Sequence, residues 1–510
     1  MANTLDSSSA APFRVVLVCV GNEYLGIGHL SAALKAANFD VRAVVDESLF
    51  DDKNYVTIPF MARFFNQLDK VVAEIIALDP NLVGFSVITP TYRRCLEIAQ
   101  NLKQRLDVPV IFGGVHPSAL PERTLKNACV DMVCQGEGQE ALVELALAMS
   151  TKQLRTDIAN LWFKQNGNII ANPMRSQIRD INTLPIIDKT VFENQAPLDD
   201  YYLMLTSWGC PYSCNFCAVT FLGNVSMSLS AHKLRPQSVE SAIAELEYYK
   251  AKYNFKWVQF LTNVFSADKK WTLDFLDAYE KRIGIPYKIT THVKKVDDEI
   301  AAALVRTGCD MVQIGIESFS EEVRRTYLNR FESNNDIRHC IASLDKYGLR
   351  YSFDYIFGLP GQNEQEIQEA MEFFLSCQHL VRLTPFWLSY FPKTPMVTVG
   401  LNHGMIHEAD IEAMEEGEHT SCLTTGSITD KKLIRTIQNY RIFFRLFPIL
   451  PRRLTKYLIR KRSYRFFYLM PVEFLVLIVD ILVSLKLRDV AAISYLHSYY
   501  WHIRKRWKKR

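Results

Sequence analysis

No secretory leader is recognisable at the start of this 510-residue chain. Residues 1–12 are rich in Ser and Ala and carry neither a basic stretch nor an apolar run, so the expectation is a disordered start and a cytoplasmic protein. Eleven cysteines occur without the regular spacing of a disulfide framework, which argues for a reducing compartment. No internal repeat and no low-complexity tract is visible, which sets repeat architectures aside. A dinucleotide fingerprint is also missing. Gly26-Ile-Gly28 has no third glycine, and no acidic residue follows the second strand in clear register, so a nicotinamide or flavin site is disfavoured. Acidic residues are scarce near the end: residues 431–510 hold 3 Asp/Glu against 20 Lys/Arg, a net of +17, whereas the other 430 residues carry a net of −13. The formal total of +4 hides this asymmetry, which marks a surface that meets anions such as lipid headgroups, nucleic acid or phosphorylated ligands. With 48 % apolar residues the chain can build about three domains with sizeable cores.

Against these absences stands one dense cluster. Cys210, Cys214 and Cys217 are spaced C-x3-C-x2-C after an apolar stretch ending in Ser207-Trp208-Gly209. Gly209, Pro211 and Asn215 make the segment a turn, not a core strand or helix. A zinc site usually pairs two C-x2-C units or adds histidines, and no second such pair exists here. Inert thiols are the remaining alternative. A 4Fe–4S cube normally takes four thiolates, so three would leave one iron open to a ligand from outside the protein.

Upstream, the fold class is α/β. Residues 13–20, 41–45, 82–88, 108–112 and 132–134 read as strands, with helical patterns over 25–37, 64–78 and 92–106 and another after 138. This alternation predicts a doubly wound parallel sheet in a Rossmann-like domain over 13–180. Ligands of such sheets sit outside the C-terminal strand ends. Gly21, Gly28, Ser86, Thr89, Gly113, Gly114, His116, Gly136 and Gly138 fall in or near the turns there. Four pieces in this order carry a resemblance: the Gly-Ile-Gly-His-Leu-Ser-Ala-Ala-Leu opening at 26–34, Gly-Phe-Ser at 84–86, Gly-Gly-Val-His-Pro at 113–117, and Gly-Glu-Gly-Gln-Glu at 136–140. The domain resembles the cobalamin (B12)-binding domain found at the front of many radical S-adenosylmethionine (SAM) enzymes. That resemblance implies cobalamin at these turns. The Asp-x-His-x-x-Gly signature that supplies a cobalt ligand in other cobalamin domains is absent, so the lower axial ligand is open. His29 and His116 are candidates, with ordinary turn hydrogen bonding as the alternative.

A linker over 181–195 follows, then a second domain over 196–430. Strands are expected at 201–207, 257–261, 287–291, 311–316, 351–357 and 383–390, with helices at 239–252, 270–283, 297–307, 337–347 and 364–377 between them. Six β/α units suggest a partial barrel, a (β/α)6, with its chemistry at the C-terminal strand ends. This half resembles the radical SAM superfamily. The resemblance implies that the three cysteines hold a 4Fe–4S cluster and that SAM meets the free iron. It also implies reductive cleavage to a 5′-deoxyadenosyl radical, with electrons from an external donor of the flavodoxin or ferredoxin type. Gly315-Ile-Glu317-Ser318 fits the family's G-x-E-S segment, whose glutamate contacts SAM, and Gly358-Leu-Pro-Gly361 fits the turn that shapes the SAM pocket. Pro392-Lys-Thr-Pro395 fits its P-x-T-P segment, and Phe216 sits where the family has an aromatic against adenine. A helix-capping role for Glu317 and a plain turn role for Gly361 are the alternatives. Two departures are visible: Asn263 stands where relatives often have an acidic pair, and His292, Lys294 and Lys295 replace a more usual Cys/Arg pattern. Asn263 can still offer its amide oxygen to the SAM ammonium.

Residues 431–510 form a basic, apolar, helical C-terminal region. The apolar run 466–485 is long enough to span a bilayer, but Glu473 and Asp480 lie inside it and Pro471 breaks its start, so a true span is not expected. A helix on the inner face of an anionic membrane and a helical cap on the barrel are compatible readings; nucleic acid is the least favoured partner. The resemblances together imply a cobalamin-dependent radical SAM enzyme that methylates an unactivated carbon of a small-molecule or lipid-like substrate. Oxidative cyclisation or ring rearrangement without methyl transfer is the alternative chemistry, and a non-catalytic iron–sulfur or cobalamin sensor is the alternative class.

Overall fold

The computed structural model describes residues 12–51, 58–153, 155–227, 234–418, 431–465 and 472–508. Of the expected disordered start, 1–11 lies outside these residues, as does the 466–471 part of the apolar run with its Pro471.

The first domain runs β1 (Arg14–Val20), α1 (Leu25–Ala36), β2 (Asp40–Asp46), α2 (Pro59–Phe65), α3 (Leu68–Ala77), β3 (Leu82–Ser86), α4 (Tyr92–Lys103), β4 (Val110–Gly113), α5 (Val115–Ala119), α6 (Pro121–Lys126), β5 (Met132–Cys134) and α7 (Gln139–Ser150). An edge hairpin, β6 (Leu161–Gln165) and β7 (Asn168–Ala171), completes its sheet. The order is β2-β1-β3-β4-β5-β6-β7, with β1 to β5 parallel and the hairpin antiparallel. β1 is an almost unbroken apolar run because helices cover both of its faces. Val16, Val18 and Val20 pack on one side with residues of α3 and α4, and Val15, Leu17 and Cys19 on the other with residues of α1 and α7. The order in which strands are added reverses between β1 and β3, the switch point at which such sheets open a crevice.

Three local expectations change. The hairpin was not anticipated; its turn, Asn166-Gly167, has both residues in the left-handed region (φ 51° and 79°), which a two-residue hairpin of this hand requires. The helix expected over 64–78 is two helices, because Asn66 is extended and its Oδ1 accepts from the Leu68 N–H at 3.1 Å, starting α3 afresh. β2 does end in an acid, Asp46, but the Arg94 guanidinium takes that buried carboxylate at 2.6 Å.

The second domain contains β8 (Tyr201–Met204), β9 (Ser207–Gly209), α8 (Ala218–Met227), β10 (Leu234–Pro236), α9 (Val239–Tyr253), β11 (Trp257–Phe260), α10 (Lys269–Arg282), β12 (Tyr287–Thr291) and α11 (Asp298–Arg306). It continues with β13 (Cys309–Glu317), α12 (Glu321–Tyr327), α13 (Asn334–Lys346), β14 (Tyr351–Phe357), α14 (Glu364–Ser376) and β15 (Leu380–Trp387). Six parallel strands in the order β8-β11-β12-β13-β14-β15 form the partial barrel. The single strand expected over 201–207 is divided. Thr206 leaves the ladder to bond Thr262 through its N–H (2.8 Å) and hydroxyl (2.9 Å), and 207–209 pairs antiparallel with β10. The short α12 was not anticipated; Ser320 caps it, accepting from the Val323 N–H at 3.2 Å.

The remaining helices are α15 (Pro395–Asn402), α16 (Glu408–Glu415), α17 (Lys431–Leu446), α18 (Arg452–Arg460), α19 (Val472–Leu487) and α20 (Val490–Lys508). The C-terminal region caps the barrel: Tyr440, Phe443, Phe444, Phe447, Ile459 and Tyr464 belong to the same buried cluster as the barrel strands. α20 then returns to the first domain, where the Tyr499 hydroxyl accepts from the Phe50 N–H at 3.2 Å and the His502 ring lies 2.9 Å from Glu47. Among the described residues no helix is long and apolar enough to cross a membrane. The linker is clamped to the first domain, with Asp188 accepting from Ser31 (2.6 Å) and pairing with Lys35 (2.7 Å), and with a buried Lys189–Glu23 ion pair.

Candidate active site

Cys210, Cys214 and Cys217 lie on the loop between β9 and α8. The seven other described cysteines are buried; these three are half-buried. The loop is pinned through its backbone. Asn215 donates from its N–H to the Leu328 carbonyl (3.0 Å) and from its side chain to the Tyr327 carbonyl (2.9 Å), and Asn329 donates to the Ser213 carbonyl (2.7 Å). On the other side the Met396 N–H donates to the Asn215 carbonyl at 3.0 Å. The P-x-T-P segment thus opens α15 with Pro395 and delivers the following N–H to the cysteine loop.

Burial pushes the Cys214 thiol up to about 12; Arg330 opposes this, while Cys217, Glu317 and Cys210 reinforce it. Burial raises the Cys217 thiol as well, so Cys214 and Cys217 are protonated until a metal displaces their protons. Among the described residues no three His, Cys, Asp or Glu side chains converge as they would on a single metal ion. Three thiols on one loop are the donor set of a cube in which three irons each take a thiolate and the fourth is left open.

Glu317 closes β13 at a bulge, where the register against β14 shifts between Gly315 and Glu317. Its φ of +65° is rare for a residue with a side chain. The carboxylate folds back over Gly315, where an added Cβ would lie 2.3 Å from Oε1. Burial pushes the Glu317 carboxyl up to about 8, against the pull of Arg330. Arg330 reaches Glu317 Oε1 at 3.5 Å, the Gly315 carbonyl at 2.7 Å and Glu332 at 2.7 Å. Burial alone would raise Glu332, but the His292 ring and Arg330 hold its carboxyl at about 2. His292 lies 3.4 Å from Glu332 and stacks on Tyr212 of the cysteine loop, ring centres 4.1 Å apart. Sequence reasoning noted His292 only as a departure. It missed Arg330 and Glu332, because an isolated R-x-E between two helices carries no signal.

The other expected residues divide. Phe216 packs against the cluster containing Leu328, Leu359 and Met396. Asn263 donates to the Gly209 carbonyl at 2.9 Å, which holds its amide over the strand leading into the cysteines. The Gly358 N–H donates to Gln362 Oε1 at 2.9 Å, and Gly361 lies so close to Tyr327 that a Cβ would come within 2.8 Å of the ring. Ser318 is fully buried and its hydroxyl is spent on Glu366 at 2.9 Å, in a network with Tyr355 and the Phe319 N–H. Its role in the structure is to anchor α14. Lys294 and Lys295 follow His292 in a single 3-10 turn.

In the first domain Ser86, Thr89, Gly113, Gly114, His116, Gly136 and Gly138 gather at the ends of the neighbouring strands β3, β4 and β5. Gly114 has φ +101°, and a Cβ there would lie 2.6 Å from the Val87 carbonyl oxygen. His116 lies against Tyr92 with ring centres 4.0 Å apart, its Nδ1 is 3.2 Å from the Thr89 hydroxyl, and its Nε2 is buried. Burial pushes the ring down to about 3, so it is neutral. Glycine-lined strand ends beside a neutral imidazole fit a cobalamin-type group. Gly28 and His29 stand apart from this set. Gly28 receives Ile187 of the linker, at 2.6 Å from a would-be Cβ, and His29 packs edge-on against Trp208 at 5.0 Å. The two halves meet here: Ala119 and Leu120, at the end of α5, pack on Phe221 of α8, and Arg235, beside Trp208, pairs with Glu137 at 2.5 Å.

A parallel partial barrel carrying three cysteines on the loop after its first strand, with a glutamate at the end of its fourth, defines the radical SAM class. The model of the Radical SAM superfamily matches residues 204–374, and that of the B12 binding domain matches 13–146. The chain belongs to the radical SAM superfamily, in the branch that carries an N-terminal B12-binding domain. Its cofactors are accordingly a 4Fe–4S cluster, SAM and cobalamin. It is similar to the uncharacterized methyltransferase PH0819 of Pyrococcus horikoshii, with 28 % identity over 61 % of this chain and 66 % of that protein. It is also similar to the anaerobic magnesium-protoporphyrin IX monomethyl ester cyclase of Rubrivivax gelatinosus, with 21 % identity over 76 % of this chain and 71 % of the other. In fold it matches the cobalamin-dependent SAM radical enzyme OxsB with a TM-score of 0.66 and 14 % identity, over 98 % of this chain and 80 % of that one. The chain thus spans about two thirds of the length of the curated relatives named here.

Proposed function

We propose that this protein is a cobalamin-dependent methyltransferase acting on an unactivated carbon of a small-molecule or lipid-like substrate. One observation carries the reading: the glycine-lined strand ends of the first domain are laid against the cysteine-loop side of the barrel, through α5 on α8 and His29 on Trp208. A methyl carrier and a radical source are then housed on the two sides of one interior. When bound, the cluster and SAM supply an oxidant of C–H bonds, and the corrinoid supplies the methyl group. The protein's part is to hold and orient. The pinned loop fixes three thiolates, Arg330 fixes the bent-back Glu317, and Asn263 keeps its amide oxygen for a donor. Reducing equivalents come from an external flavodoxin- or ferredoxin-type donor.

The methyltransferase relative supports this reading, and the cyclase relative, aligned over 76 % of the chain, supports the alternative of ring closure. Product counting separates them. Anaerobic turnover should release S-adenosylhomocysteine together with 5′-deoxyadenosine. Deoxyadenosine alone would favour the cyclase chemistry, and a loaded cluster that never cleaves SAM would favour a sensor.

A further inference from the structure

We propose that α18, together with the exposed end of α19, is a docking face for an anionic lipid bilayer. The inference does not depend on the reaction. α18 turns Thr455 and Ile459 inward onto the barrel, and its opposite face is open. That face carries Arg453, Lys456, Arg460 and, just beyond it, Lys461, all exposed, and α18 contains no acidic residue. Neighbouring cations do have partners: Arg452 donates to the Cys377 carbonyl at 2.9 Å, and Arg462 and Arg465 pair with Glu364. Arg453, Lys456, Arg460 and Lys461 have no carboxylate partner among the described residues.

Apolar side chains stand between these cations. Leu454 is 43 % and Tyr457 56 % exposed. The end of α19 adds Leu482 at 55 % and Leu485 at 59 %, and Lys486 ties it beside the start of α18 by donating to the Ile449 carbonyl at 3.1 Å. Unpaired cations interleaved with exposed leucine and tyrosine are the composition of a helix that lies in a membrane interface. A nucleic-acid backbone would use the cations but leave the leucines in water.

The placement of α18 adds a geometric consequence. Its first residue touches the carbonyl just after α14, at the base of the barrel, while Arg462 and Arg465 hold the first residue of α14, just past the 358–361 turn at the mouth. α18 therefore runs up the barrel wall from base to rim, and a bilayer against it lies beside the opening.

The test is co-sedimentation of the full-length protein with phosphatidylcholine vesicles, with and without phosphatidylglycerol. Binding should require the anionic lipid and be reversed at ~1 M salt, where screening acts within ~3 Å. Replacing the four cations together (R453Q, K456Q, R460Q, K461Q) should weaken binding by two orders of magnitude or more, at about fivefold per cation. L454S with Y457S should weaken it about tenfold while leaving salt sensitivity in place. All variants should keep the parent's thermal melt, since the altered side chains face outward. The proposal is overturned by equal binding to neutral vesicles, by unchanged binding of the four-cation variant, or by no binding at low salt. A soluble polyanion such as heparin that strips the protein from vesicles at equal charge concentration would also overturn it, in favour of a nucleic-acid-like partner.

Discussion

Gly315 and the carboxylate of Glu317 share a space that holds only one of a methyl group and an oxygen, since an added Cβ would sit 2.3 Å from Oε1. A G315A variant should therefore expel the carboxylate from beside Arg330. Its affinity for SAM, read by equilibrium dialysis on cluster-loaded protein, should fall by at least tenfold, a loss of about 1.4 kcal/mol, while iron content is unchanged. The cysteines predict the reverse pattern. Replacing Cys210, Cys214 and Cys217 with alanine should abolish bound iron and its visible absorption, whereas C340A, which removes a fully buried thiol, should retain both. At this scale spacing alone singled out the cysteine triplet, and the family resemblance singled out the G-x-E segment. The sequence was silent on Arg330 and Glu332, whose importance comes from burial beside Glu317, and it could not show that the Ser318 hydroxyl faces Glu366.

At the level of elements, alternation of apolar runs and helical patterns was enough to place nearly every strand of both sheets. The departures have local causes. The 166–167 turn carried the strongest short hairpin signal there is, Asn-Gly, but the parallel reading of the domain gave it no place. β9 and β10 are three residues each, and their pairing depends on Thr206 finding Thr262, a contact across 56 positions that no local pattern encodes. The linker makes its own prediction. Asp188 is held below the usual carboxylate range: burial works against this, but Lys35, Ser31 and Thr190 outweigh it. A carboxyl with a lowered folded value contributes stability above its unfolded value of ~3.9 and loses it as the pH drops toward the folded one. D188N should therefore lower the urea midpoint at neutral pH, by the equivalent of about 1–3 kcal/mol, and the gap from the parent should narrow below pH ~4.

For the molecule as a whole, the C-terminal region is part of the fold. Phe444 is fully buried against Tyr355, Phe357 and Phe374, with ring centres 5.4, 5.1 and 5.8 Å away. F444A should cost about 3–5 kcal/mol, as much as truncating a barrel-strand phenylalanine, and thermal melts of F444A and F353A would compare the two directly. The charge asymmetry was plain in the sequence, and so was the choice between cap and membrane helix. The structure divides the work within the region: the aromatic face of α17 closes the barrel, and the outer face of α18 stays open.

The contact of α20 with the first domain bears on how the protein is made. Tyr499 and His502 reach Phe50 and Glu47, so two stretches about 450 positions apart secure one another. Domains fold as they leave the ribosome, the N-terminal one first. The segment after β2 must then wait for translation of the entire barrel before its last fastening arrives. Newly synthesised chains stalled within the barrel would carry a finished first sheet with one corner unlatched, a window in which nascent protein is most open to proteases and to chaperones.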